Sequence, residues 1–220
     1  LLSCQLVFAQ DIESIKKKLS NGDFKTVKTE LTTLLQKDAK NKLALQLRAE
    51  AKMGLDDLYG SITDASLALE IDSTFVDALN TRGEAKSLLG DDDGAILDFD
   101  KAIKFAPKSA LAYTNRGLSK YNIEDLQGAY FDFSKALEIG PPDADKFYNR
   151  GVVKAELGEF VSAIDDYNKA IELDKSDANL YNFRGVAYYN INELDKALAD
   201  YNQAINIDAT NALLFENRAL

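Results

Sequence analysis

ADKFYNRGVVKAELGEFVSAIDDYNKAIELDKSD, residues 144–177, is one unit of a repeat. Its opening signature, Phe147-Tyr148-Asn149-Arg150-Gly151, has near relatives at Leu79-Asn80-Thr81-Arg82-Gly83, Tyr113-Thr114-Asn115-Arg116-Gly117 and Tyr181-Asn182-Phe183-Arg184-Gly185. The glycines stand at 83, 117, 151 and 185, each 34 residues after the last. A fixed period of this size marks a stacked array, because one such unit cannot bury its apolar face alone. Stepping outward at the same interval divides the chain into 8–41, 42–75, 76–109, 110–143, 144–177 and 178–211, with 212–220 opening a further block. The signature fades toward the N-terminus, where Ala49 and Ile15 take the glycine position. No Gly/Ser-rich linker interrupts the register, so residues 10–220 read as a single domain.

Each block reads as two helices. In 144–177 the first runs from Ala144 to about Leu157, Gly158-Glu159-Phe160 turns the chain, and the second runs from about Val161 to Leu173. The residues before the first helices are Asn41, Phe75, Ser109, Asp143, Asp177 and Asn211; all but Phe75 have side chains that accept from free first-turn amides. Asp23, Asp57, Asp91, Asp125, Glu159 and Glu193 open the second helices, where a carboxylate suits the helix dipole. Pro107, Pro141 and Pro142 lie between blocks, where a helix must stop. A glycine inside a helix costs about 0.5–1 kcal/mol relative to alanine, so Gly83, Gly117, Gly151 and Gly185 need a packing reason. The expectation is that they face Ala95, Ala129, Ala163 and Ala197 of the second helices. Phe99, Phe133, Tyr167 and Tyr201, with Tyr113, Phe147 and Tyr181, fill the core beyond.

Composition narrows the function. The 220 residues are 46% hydrophobic and 28% charged, enough for a continuous core. The formal net charge of -10 repels phosphate backbones, so no nucleic acid is expected. With no histidine, the commonest general base and metal ligand is missing. The single cysteine, Cys4, has no internal disulfide partner. No stretch approaches the roughly 20 apolar residues of a spanning helix. Leu1 to Ala9 reads as the end of a signal peptide, with Val7-Phe8-Ala9 before Gln10 as its cleavage site. That reading places the protein outside the cytoplasm, periplasmic or secreted; otherwise it is cytoplasmic. A lipoprotein acylated at Cys4 and a plain N-terminal helix are the alternatives.

The period, the helix–turn–helix units, Gly185 followed by Tyr188, and the spacing Ala197, Tyr201, Ala204 with a closing Pro107 or Pro141 resemble the tetratricopeptide repeat. The match is strong over 42–220 and weak over 8–41. The usual first-helix Trp is Leu, Tyr or Phe here, block 42–75 has Ala49 and Ser61 for the small pair, and Ile15, Val27 and Leu34 should splay the first hairpin. The resemblance implies an all-α, right-handed solenoid whose first helices line a concave groove that binds peptides or proteins.

Within that frame, Arg48, Arg82, Arg116, Arg150, Arg184 and Arg218 recur, as do Asp64, Asp98, Asp132, Asp166 and Asp200. Each arginine from 48 to 184 arrives with a carboxylate, which favours a structural ladder over a cationic binding line. First-helix positions outside the core layer give the groove. Gln46, Glu50, Asp77, Asn80 and Glu84 make one end acidic; Leu118, Tyr121, Asn122, Tyr148, Val152, Asn182, Val186 and Tyr189 make the other apolar and aromatic. Tyr121, Tyr148, Val152, Val186 and Tyr189 serve as anchors, with Asn115, Asn149 and Asn182 as partners for a ligand backbone. Packing of Tyr121 and Tyr189 on the next hairpin is the competing reading. Thr114, Tyr148, Leu118 and Val152 stand where a carboxylate clamp of the family has cations, which argues against chaperone-tail binding. Asp91-Asp92-Asp93-Gly94 lacks the alternating ligands of a calcium loop and reads as a turn.

The expected function is a non-catalytic scaffold for a protein or peptide, with a basic stretch favoured at Glu50, Asp77 and Glu84. No catalytic residue, metal, cofactor or small-molecule substrate is expected. Two alternatives stay open. One is an accessory region of a longer enzyme or signalling protein. The other is a module that self-associates through the 212–220 edge, whose apolar face suggests a chain that continues or a partner that covers it.

Overall fold

A computed structural model of the chain describes residues 12–219. The signal-peptide reading of 1–9 falls outside them. Among the described residues there are thirteen helices and no strand. They group into two units. Unit 1, up to Pro107, holds α1 (12–20), α2 (Phe24–Lys37), α3 (Lys42–Met53), α4 (Leu58–Ile71), α5 (Val76–Leu88) and α6 (Asp92–Phe105). Unit 2, from Lys108, holds α7 (Ala110–Asn122), α8 (Leu126–Ile139), α9 (Ala144–Glu156), α10 (Phe160–Leu173), α11 (Ala178–Asn190), α12 (Leu194–Ile207) and α13 (Ala212–Arg218). Odd-numbered helices are the first of each hairpin and even-numbered ones the second.

Local chemistry sets the helix ends. The side chains of Asn41, Ser109, Asp143, Asp177 and Asn211 accept amides of the first turn, and Phe75 makes no such bond. Asp23, Asp57, Asp91 and Asp125 cap their helices in the same way, whereas the longer Glu159 and Glu193 do not. Between the two helices of each hairpin, one residue takes the left-handed conformation: Gly22, Asp56, Gly90, Glu124, Gly158 and Asn192, again 34 apart. Glycine adopts this conformation without steric cost, whereas an ordinary L residue is penalised by about 1–2 kcal/mol. Glu124, at φ 63°, is the residue least suited to it. Glu124→Gly is therefore expected to raise the melting temperature by about 2–4 °C, equivalent to about 1 kcal/mol. Differential scanning calorimetry reads the difference.

Within the hairpins, the glycines meet rings. A Cβ on Gly83 would stand 2.7 Å from Phe99, on Gly117 2.9 Å from Phe133, on Gly151 2.7 Å from Tyr167 and on Gly185 2.8 Å from Tyr201. This corrects the expectation that they face the alanines. The alanines are fully buried, but the glycine gives room to the aromatic ring one helical turn further along. In the first hairpin, Ile15 and Val27 are buried, while Leu34 is partly exposed.

The charged ladder is internal. Arg48, Arg82, Arg116, Arg150 and Arg184 each grip the aspartate of their own hairpin with Nε and Nη2, at 2.5–2.8 Å. Lys52, Lys86, Lys120 and Lys154 add a second cation to Asp64, Asp98, Asp132 and Asp166 at 2.7–2.9 Å. Those four carboxylates are at most 2% exposed. The arginines also reach back one hairpin, with Nη1 donating to Thr32, Ser66, Ser134 and Asn168 from Arg48, Arg82, Arg150 and Arg184. One guanidinium thus ties its own hairpin shut and sets its register on the preceding one. Burial opposes ionisation of Asp98, yet the bonds from Arg82 and Lys86 hold its carboxyl below the ordinary value.

Candidate binding surface

The packing order creates an inner and an outer layer. Successive helices pack together throughout each unit, and first helices also touch the next first helix: α3 with α5, α7 with α9, α9 with α11, and α11 with α13. Among the described residues, second helices make no such contacts with one another. First helices therefore sit closer together and form the inner face of each unit. Side chains 35 residues apart meet across that face. Gln46 Nε2 donates to Thr81 Oγ1 at 3.4 Å, the Tyr121 hydroxyl to Glu156, and Asn217 Nδ2 to Asn182 Oδ1 at 2.8 Å. Tyr148 meets Phe183 edge-on at 5.2 Å between centroids.

In unit 1 this face is acidic. Gln46 is buried and donates to Glu50 Oε1 at 2.6 Å. Asp77, Asn80 and Glu84 are spaced one turn apart on α5, and the Asn80 Oδ1 is buried with no hydrogen-bond partner. A cleft of about 350 Å³ runs beside them, with Leu19, Leu43 and Leu47 as apolar wall and Lys16, Glu50 and Asp77 at its mouth. Burial, and then the charges of Asp77 and Glu84, push the Glu50 carboxyl up against the pull of Gln46. Glu84 has an exposed surface but enough protein around it to be partly desolvated, which raises its carboxyl too.

The consequence for stability has a definite sign. A carboxyl whose value is raised on folding opposes folding once ionised, so its penalty is absent below about pH 4 and grows as pH rises through the raised value. Glu50→Gln is expected to raise the melting temperature at pH 7, with a gain that shrinks toward pH 4. Melts across that range read both.

In unit 2 the face is apolar and more heavily engaged. Leu118 and Tyr189 are the open positions, 39% and 40% exposed. Val152 and Val186 are half-buried, as are Asn115 and Asn149, and the Asn115 Nδ2 is buried without a hydrogen-bond partner. Tyr121 packs on the cluster of Ala129, Phe133 and Val153. Burial, and then Glu156, push its hydroxyl up to about 12. Tyr148 packs against Tyr167 and Phe183. Asn182 is 3% exposed, and its carbonyl is held by Asn217. At the α12 end, a cleft of about 610 Å³ is lined by Tyr189, Leu194, Leu198, Tyr201 and Arg218. On α13, Leu214 is buried and Leu213 and Phe215 are exposed.

Two elements of this surface were not read from the sequence. One is the lysine ligand of four of the five ladder aspartates, which does recur at 52, 86, 120 and 154. The other is the set of bridges between residues 35 apart, Glu156 and Phe183 included, which needs the tilt between adjacent helices and leaves no sequence signal. Asp91 of the acidic run caps α6, and Ser87 donates to Asp92. Among the described residues, no group of three or more potential acidic or sulfur ligands is placed to hold a metal ion. None of these helices is long and apolar enough to cross a membrane.

Family models agree with this architecture. A "TPR repeat" model matches residues 153–192, and two "Tetratricopeptide repeat" models match 178–211 and 76–109. Among solved structures, PilW, described as a widely conserved type IV pilus biogenesis factor, superposes with a TM-score of 0.84 at 18% identity, covering 93% of this chain and 94% of its own. YrrB, described as a TPR protein with an unusual peptide-binding site, gives 0.73 at 20% identity, covering 86% and 98%. MamA from Desulfovibrio magneticus RS-1 gives 0.71 at 17% identity, covering 78% and 98%. No curated protein sequence matches the chain. The chain carries tetratricopeptide repeats. Repeats of this family imply a scaffold for protein–protein contacts, typically non-catalytic.

Proposed function

We propose that this protein is a non-catalytic scaffold whose first-helix faces, each within its own unit, hold an extended peptide or protein segment. The observation that carries this reading is the outward-reaching apolar set on the first helices of unit 2. Leu118 and Tyr189 stay open and Val152 and Val186 half-open, while the second-helix rings Phe133, Tyr167 and Tyr201 of the same repeats are buried. Exposed apolar side chains beside Asn115 and Asn149 amides supply contact area and hydrogen bonds to a ligand backbone. The carboxylates of Glu50, Asp77 and Glu84 favour a basic stretch at unit 1. Each ladder aspartate has its own arginine, whereas Glu50 has Lys16 as a neighbouring cation and lies beside the like charges of Asp77 and Glu84. The N-terminal sequence supports placing this activity outside the cytoplasm.

Panning the full chain against a random dodecapeptide display library tests the reading. Peptides with apolar residues and at least one Lys or Arg are expected to be enriched. A peptide so selected should lose at least about tenfold in affinity for Leu118→Arg, an exposed position whose change leaves the core intact, and should weaken with added salt. Enrichment of nothing, or equal affinity for Leu118→Arg, would overturn it.

A further inference from the structure

The second helices carry an aromatic at one repeat position: Phe99, Phe133, Tyr167, Tyr201. In unit 2, Phe133 and Tyr167 lie in the same way, against Gly117 and Gly151, and both rings are essentially inaccessible to solvent. Packing therefore explains the ring of Tyr167 but not its hydroxyl, because phenylalanine fills the equivalent slot in the preceding hairpin of the same unit. That hydroxyl is buried and makes no hydrogen bond to any described residue. A buried polar group left without a partner is penalised by about 1–3 kcal/mol and calls for an explanation.

Its surroundings give one. The ring comes from α10, but it lies against Gly151 of α9, and the rings nearest it are those of Tyr148 on α9 and Phe183 on α11, at 6.4 and 6.3 Å between centroids. The side chain thus crosses from the second-helix layer into the inner layer, beneath Tyr148 and Phe183. Tyr148 and Phe183 are both half-buried, so solvent reaches part of each ring of that cover, and Tyr148 sits on the same helix as the Gly151 that admits Tyr167. Burial, followed by the proximity of Tyr148, Tyr121, Asp166 and Glu156, keeps the hydroxyl protonated, so it is a donor. The same carboxylates disfavour an anionic acceptor. The acceptor it suits is neutral, and the commonest neutral acceptor on an extended ligand is a main-chain carbonyl.

We propose that the Tyr167 hydroxyl is a ligand-directed donor in the inner face of unit 2, receiving a main-chain carbonyl of a bound peptide when the Tyr148 ring moves aside. This inference rests on the groove reading above and specifies its deepest contact. Tyr167→Phe, which restores the residue type of the preceding hairpin, tests it in the full chain with a dodecapeptide selected by the unaltered protein. The variant is expected to melt at the same temperature or higher and to bind that peptide about tenfold more weakly, the loss of one buried hydrogen bond. Affinity within about twofold of the unaltered protein, with Leu118→Arg still abolishing binding, would overturn the donor and leave the groove standing. Equal binding by all three proteins, or no selected peptide, would overturn both. A Tyr167→Phe protein that melts markedly lower would show a structural partner for the hydroxyl and likewise sink the proposal.

Discussion

Replacing Asp166 with alanine is expected to lower the thermal midpoint by about 10 °C. Asp166 is 1% exposed and receives two bonds from Arg150 and one from Lys154. Removing it strands two cations inside unit 2, and breaking a buried pair from one side is destabilising by about 3–5 kcal/mol. For a chain of this length each kcal/mol shifts the midpoint by roughly 2–4 °C. Arg150→Ala should do less harm, because Lys154 still faces the carboxylate; it also releases the tie to Ser134 on the preceding hairpin. Replacing the whole cluster with apolar residues of similar volume should restore much of the loss. An Asp166→Ala midpoint within about 2 °C of the unaltered protein would mean that the ladder sets register without contributing stability. Acid should probe the same device at Asp98. Its carboxyl is held below the ordinary value, so its contribution is present above about pH 4 and is lost as pH falls through the lowered value.

Gly151→Val is expected to destabilise unit 2 by about 2–3 kcal/mol. A Cβ there would stand 2.7 Å from Cε1 and 3.2 Å from Cζ of Tyr167, a ring with no room to retreat. Overpacking of this kind typically costs about 1–3 kcal/mol, and valine adds two further carbons and a stiff rotamer. Valine's helix-propensity gain over glycine, about 0.3–0.5 kcal/mol, offsets little of it. The control is Gly158, where a Cβ meets nothing but the backbone is left-handed at φ 79°. Gly158→Ala should cost only about 1–2 kcal/mol, from backbone strain alone. If urea unfolding ranks the two equally, the glycine at 151 is not there to admit the ring.

The repeat, the helix limits and the caps were legible in the residues because they are local. A 34-residue period, a polar side chain before every helix from α2 on but α5, and prolines between blocks act through neighbours in the chain. The Arg–Asp pairing was legible for a related reason: both partners recur in the same phase, so their contact needs only a hairpin. The site was less legible. Asn182 looks like a free amide, yet its carbonyl is held by Asn217; Tyr121 looks like an open anchor, yet its hydroxyl is given to Glu156. Each of those partners lies 35 residues away on the next first helix, at a distance set by helix tilt.

What the sequence by itself determined is the tetratricopeptide architecture, since apolar spacing at a fixed period leaves stacked hairpins as the way to bury every unit. What only the tertiary structure decided is which inner-face residues remain free. That depends on how near one first helix comes to the next, and close approach lets side chains of neighbouring repeats satisfy one another before a ligand reaches them. The same closeness places Tyr167 beneath Tyr148 and Phe183 with its hydroxyl unmet, because a ring that enters through the space above a glycine carries its polar end past the layer that packs it.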